Sequence, residues 1–195
     1  MGTIYNELNT VSNKNSINHN FFKSNYQSII SNLFYGMYNL MMKCLNFNIL
    51  THNIQIYNNL IFDLEEVRKY KNNIQNIVDI IECFEYYQKE DIIMGENQIN
   101  YNNCYNVANI INISKLIITP NILIIKLNRG KRLQFDVKLA FGQYLDIRNF
   151  IYYKDSSSYY ELKRIFINLG PSSRGGHFIA SCKNIVGLGI NIMMI

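Results

Sequence analysis

Asn, Ser and Thr fill positions 1 to about 25 without a period, and a hydrophobic pattern starts only at Ser28. Residues 1–27 therefore read as a polar leader, disordered by itself. From Ser28 onward Ile29, Ile30, Leu33, Phe34 and Met37 recur at helical spacing, behind a serine able to cap the first turn. This predicts a short helix ending near Gly36. Residues 41–47, then the alternation of Ile49, Thr51, Asn53 and Gln55 running on to residues 60–64, predict two strands. Ile77, Ile80, Ile81, Phe84, Tyr87 and Gln88 follow the three-four spacing of an amphipathic helix, with Cys83 in its core-facing company. Two apolar stretches then flank Thr119-Pro120-Asn121, and the second, residues 122–129, is dense enough for a central strand. Residues 135–139 and 144–147 supply further extended pieces. Finally, the alternation over residues 160–167 and the apolar run Phe178-Ile179-Ala180 predict a hairpin spanning about 158–183.

A chain of 195 residues that is 48% hydrophobic can bury a sizeable core as one domain. The formal net charge is +5, but the basic residues are scattered and form no stripe, so nucleic acid is excluded as a partner. No apolar run approaches 18 residues and the N-terminus lacks a hydrophobic signal region, so no membrane is expected and the protein is read as soluble and intracellular, cytoplasmic or nuclear. Cys44, Cys83, Cys104 and Cys182 lie far apart, which favours reduced thiols over a disulfide framework. Asn and Ile are abundant, Trp is absent and Pro numbers two, a bias of A+T-rich codons that makes much of the Asn background.

The one candidate for proton chemistry is His177, set directly after Gly175-Gly176 at a loop-to-strand junction. The glycines suit a tight turn, and a rigid strand end can present an imidazole; the plainer reading is a structural bystander. Tyr160-Glu161-Leu162-Lys163-Arg164-Ile165, followed by Gly175-Gly176-His177-Phe178-Ile179-Ala180, resembles the histidine box of the ubiquitin-specific proteases, papain-like cysteine peptidases that release ubiquitin. The stretch from Ser28 to Gly36, S-I-I-S-N-L-F-Y-G, resembles the block that opens the later half of that family's domain, and T-P-N-I-L-I-I-K-L-N-R-G, starting at Thr119, resembles a block that follows its zinc ribbon.

The resemblance implies specific roles. His177 would be the general base and acid that turns a distant cysteine into a nucleophile. Glu90, the acidic residue that ends the helix of residues 80–90, matches a position that faces the arginines of ubiquitin's C-terminal tail, and Gly175 and Gly176 would line the same substrate path. Its plainer reading is a solvated helix-end charge. Two C-x-x-C half-sites hold a structural zinc in the family. Here Phe47 and Tyr101 stand where one cysteine of each pair would be, leaving Cys44 and Cys104 as degenerate half-sites. No zinc and no other cofactor is expected, with Phe47 and Tyr101 packing in place of coordination. His52 is a conceivable third ligand, read instead as solvent-facing. The implied fold is a partial papain-like ubiquitin-specific protease domain over 28–195, α+β, with a palm and a finger ribbon at about 41–64 and 97–120.

Two catalytic blocks of that family have no match. Nothing before Ser28 resembles the N-x-G-N-T-C helix entry carrying the nucleophile, and the tail from Gly187 to Ile195 replaces the strand that orients the histidine. A segment W-Y-K-Y-N-D-D read one base late translates as G-I-N-I-M-M-I, the actual residues 189–195, which suggests a frameshift between about Asn184 and Leu188. The expectation is a deubiquitinating cysteine-protease family member acting on ubiquitin or a ubiquitinated protein, truncated and inactive alone. The alternatives are a non-catalytic ubiquitin-binding module and a non-functional remnant.

Overall fold

The computed structural model of the chain describes residues 28–95, 99–101, 106–128, 137–152, 158–168, 178–183 and 190–194. The expected polar leader at 1–27 lies outside the described residues. Helix α1 (Ile29–Phe34) starts at Ser28, whose hydroxyl accepts from the Ser31 amide at 3.0 Å while the Ser31 hydroxyl accepts from the Ser28 amide at 3.0 Å. Two otherwise orphaned amides are thereby satisfied. The apolar spacing that announced this helix does not mark its packed face: Ile29 and Ile30 are 80% and 63% exposed, and Met37 belongs to the next strand.

That strand, β1 (Gly36–Cys44), pairs antiparallel with β2 (Leu50–Tyr57), from Gly36 opposite Tyr57 to Lys43 opposite Leu50. Asn48, in the turn between them, has φ 55°, a conformation Asn tolerates better than most residues. On its other edge β1 meets β8 (Ile110–Ile118), and β8 meets β5 (Asp91–Ile93), so the sheet order is β2-β1-β8-β5. The interior strands of this sheet are thus β1 and β8, and the stretch at 122–129 is not among them. That stretch yields only β9 (Ile125–Asn128), which pairs in parallel with β3 (Leu60–Asp63) and leaves Ile122, Ile124 and Leu127 exposed. A small hairpin, β6 (Ile99–Tyr101) with β7 (Asn106–Ala108), precedes β8.

Helix α2 (Leu64–Tyr70) continues directly from β3, where a longer strand was expected. Asp63 caps it by accepting from the Glu66 amide at 3.2 Å, with Glu65 and Glu66 in the first turn and Arg68 and Lys69 in the last, the arrangement the helix dipole favours. Ile77 leaves the predicted helix for β4 (Ile77–Asp79), and α3 (Ile80–Tyr87) opens with a capping box: Asp79 accepts from the Ile81 amide at 2.8 Å and Glu82 from the Asp79 amide at 2.9 Å. Strand β10 (Lys138–Ala140) runs parallel to β4.

These pieces enclose the main core, in which Phe62, Leu64, Val67, Val78, Cys83, Phe84, Leu116 and Ile147 are almost wholly buried. Phe84 meets Phe62 edge-on at 5.1 Å and stacks on Phe150 at 5.4 Å. Area removed from water by such rings, at roughly 25 cal/mol per Å2, is what holds the helices to the sheet. Beyond it, β11 (Tyr144–Asp146) pairs with β12 (Tyr159–Glu161), and β13 (Arg164–Asn168), β14 (Phe178–Lys183) and β15 (Ile190–Met194) form a three-stranded antiparallel sheet. The alternating stretch at 160–167 is therefore divided between two sheets, changing partner at Leu162–Lys163. The fold is α+β and mainly antiparallel, with parallel pairing among the described strands only at β3–β9 and β4–β10. Among the described residues no helix is long and apolar enough to cross a membrane.

Candidate functional site

The histidine arm is built by strand register. Arg164 pairs with Cys182, Phe166 with Ala180 and Asn168 with Phe178, so the residue after His177 is the first rung of the β13–β14 hairpin. His177, Gly175 and Gly176 themselves lie outside the described residues. Ala180 is buried, whereas Phe166 and Ile167 on the partner strand are exposed.

At the first zinc half-site, Cys44 is buried and packs against Ile110, its partner on β8, with Met42 and Ile49 beside them. Phe47 sits in the β1–β2 turn and is 55% exposed, so it does not supply the packing expected of it. His52 is half-buried and not solvent-facing, its Nδ1 lying 2.9 Å from Asn39 Nδ2. It stands opposite Met41, three positions from Cys44, and alternation along β1 turns the two residues to opposite faces of the sheet. His52 and Cys44 cannot close on one ion. Cys104 lies outside the described residues and Tyr101 is on β6. Among the described residues no group of three or more His, Cys, Asp or Glu side chains could hold a metal. An apolar lining around the Cys44 thiol does not fit a four-coordinate zinc.

The acidic candidate is set by the end of α3. Gln88 closes that helix and is buried; its Nε2 donates to the Phe150 carbonyl and its Oε1 accepts from Lys115 Nζ at 3.2 Å. One amide side chain thus ties the helix end to β8 and to the 3-10 turn at Arg148–Phe150. Burial holds the Lys115 ammonium below the usual lysine range, opposed by the Glu90 carboxylate. Next to it, the Lys89 ammonium lies 4.5 Å from the Tyr86 ring centroid, 5.8 Å from that of Tyr70 and 3.8 Å from Asp91 Oδ1. Its charge is engaged by two aromatic faces and a carboxylate. Glu90 is exposed, and among the described residues it forms no ion pair. This exposed carboxylate follows a pinned helix end and lies within electrostatic range of Lys115, and its solvent-exposed side can meet a cation from another molecule. Sequence reasoning passed over Lys115 and the anchoring role of Gln88; the available signal was a lone lysine inside the apolar strand Ile110–Ile118.

The sequence model of the ubiquitin carboxyl-terminal hydrolase family matches residues 3–186. The chain belongs to that family. Among curated relatives, ubiquitin carboxyl-terminal hydrolase 48 of Rattus norvegicus is 28% identical over 119 residues, covering 57% of this chain and 12% of the relative. The proteins of the same name from Gallus gallus and Danio rerio are each 27% identical over 119 residues, covering 12% and 11% of their own length. The chain thus spans only about an eighth of the length of the curated relatives it matches. For this ubiquitin carboxyl-terminal hydrolase family member, Cys44, Glu90, Cys104, Gly175, Gly176 and His177 fall within the matched residues, and β15 falls beyond them.

A thiol peptidase needs an ionised sulfur, and the described cysteines differ in what they can offer. Cys83 is buried on α3; burial, reinforced by Glu82 and Asp79, pushes its thiol up to about 12. Cys44 is sealed in its apolar cluster. Cys182, on β14, is half-buried. None of the three stands at the start of a helix, where the dipole would favour a thiolate.

Proposed function

We propose that this chain is a deubiquitinase-family polypeptide that engages ubiquitin or a ubiquitinated protein and does not hydrolyse the conjugate by itself. The reaction of such an enzyme is thiol-dependent hydrolysis at ubiquitin's C-terminal glycine. A thiolate attacks the carbonyl carbon, the amine leaves with a proton from the histidine, and water then releases the acyl group from sulfur. In this reading His177 is the general base and acid, Gly175 and Gly176 flank the scissile bond, and Glu90 receives the arginines of ubiquitin's tail in charge-assisted hydrogen bonds. The family match over residues 3–186 carries the proposal. Its inactive half is supported by the setting of the thiols, protonated and enclosed at Cys83 and enclosed at Cys44. Cys44 and Cys104 are proposed as remnants of a zinc site that no longer holds metal.

An electrophilic ubiquitin probe tests catalysis: no covalent adduct is expected, and an adduct lost in His177→Ala would overturn the inactive reading. The exposed Glu90 on a helix end pinned by Gln88 favours a second reading, a non-catalytic ubiquitin-binding module. Titration of fluorescent ubiquitin separates that module from an inert remnant. Saturable binding, weakened about tenfold by Glu90→Lys through loss of a charged contact, supports it. The absence of saturation leaves the remnant. Elemental analysis of the purified chain, expected to return no stoichiometric zinc, checks the metal assignment.

A further inference from the structure

Lys115 is the one charged residue of β8, I-I-N-I-S-K-L-I-I, and it is half-buried. Its ammonium donates to Gln88 Oε1 at 3.2 Å, so a neutral amide is its hydrogen-bond partner. A half-buried cation favours a carboxylate nearby. The sheet supplies one: Asp91 on β5 pairs with Asn112 on β8, and the antiparallel sense carries Glu90, one residue earlier, toward Lys115. Glu90 is the carboxylate that stabilises the ammonium against the cost of its burial.

The other charges at this edge are engaged elsewhere. Lys89 lies 3.8 Å from Asp91 Oδ1 and 4.5 Å from the Tyr86 ring centroid. Among the described residues no direct ion pair joins Glu90 to Lys115, so their attraction acts through space and leaves the carboxylate exposed.

We propose that Lys115 is a specificity-determining residue for the cation that Glu90 receives, a built-in counter-charge that weakens every arginine or lysine docking there. Held by Gln88, the ammonium stays in place as a guanidinium arrives, and two like charges then share one carboxylate. An isolated cation gains little at such a site, so retention falls to a partner that makes further contacts. The inference rests on the reading of Glu90 as the residue that meets ubiquitin's arginines.

Titration of fluorescent ubiquitin into the full chain tests it with Lys115→Gln, which removes the charge and keeps an N–H donor for Gln88. Binding should tighten about threefold. That gain should shrink as salt is raised from about 0.05 to 0.5 M, a screening response that a purely structural role lacks. The pairing itself is read without ubiquitin, in protein carrying carbon-13-labelled lysine. The Lys115 Cε signal, assigned by its loss in Lys115→Gln, should titrate at lower pH in Glu90→Gln than in the parent, because the stabilising carboxylate is gone. An unmoved titration, or binding that Glu90→Gln weakens while Lys115→Gln leaves it unchanged or weaker, would overturn this inference alone. Binding insensitive to Glu90→Gln, or absent in every variant, would overturn the reading of Glu90 and this inference with it.

Discussion

Gly36 shows how much one residue decides. A Cβ there would lie 2.4 Å from Tyr57 Cζ and 2.6 Å from the Ile118 carbonyl, with Tyr57 directly opposite on β2. The backbone at the start of β1 passes under the tyrosine ring, and the Tyr57 hydroxyl reaches the Ile118 carbonyl at 3.3 Å. Gly36→Ala should destabilise the chain by about 1–3 kcal/mol through overpacking, read as a lower urea midpoint at unchanged slope. Cysteine reactivity is a second residue-level outcome. Cys83, with its thiol raised to about 12, should resist alkylation at pH 8 until the protein unfolds, while Cys182 reacts in the native state. Peptide mapping after a timed pulse of iodoacetamide checks the order.

Elements were legible where a cap and a period agreed. Ser28 announced α1 because its hydroxyl bonds one turn ahead, a local interaction independent of the rest of the fold. Helix α2 was missed although Asp63 and Glu66 stand three apart before a charged turn, because the apolar run ending at Leu64 masked the cap. Its ends are joined by Glu65, which accepts from Arg68 Nε at 2.8 Å and Nη2 at 2.7 Å. That hydrogen bonding holds the Glu65 carboxyl below the usual range. With the folded value below the unfolded one, its contribution is present above the ordinary carboxylate pKa of about 4.3 and is lost as pH falls through the folded value. Thermal unfolding between about pH 6 and 2 should therefore fall less steeply for Glu65→Gln than for the parent. At the end of α3, Gln88→Leu should cost about 1–3 kcal/mol, since it leaves the Phe150 carbonyl and the half-buried Lys115 ammonium each short of a partner. Denaturant titration of this variant beside Lys115→Met, which removes the half-buried charge, separates the two effects.

At the scale of the whole molecule, Phe84 joins both halves of the core, touching Phe62 on β3 and Phe150 in the 3-10 turn. Phe84→Ala should cost about 3–5 kcal/mol and lower the melting temperature by roughly 10 °C, measured by calorimetry. The α+β class and the family were legible in the residues, since ordered apolar blocks and the stretch around Gly175-Gly176-His177 survive in linear form. The strand at the centre was not. Residues 122–129 and β8 are similarly apolar and each carries one lysine, yet β8 lies between β1 and β5 whereas only Ile125–Asn128 of the other stretch forms a strand, beside β3. Phe47 illustrates the same limit: its aromatic character favoured a packed role, and its place in a turn left it in solvent.

The amino-acid order alone determined what acts over a few residues: the caps at Ser28 and Asp79, the alternation of strands, and the family membership carried by short motifs. Tertiary structure decided which strand lay inside, which face His52 took relative to Cys44, and that Gln88 and Lys115 would pin the helix end beside Glu90. The division has a physical reason. A cap or a strand period is satisfied by neighbours in the chain, whereas burial and register depend on surfaces that arrive from tens of residues away.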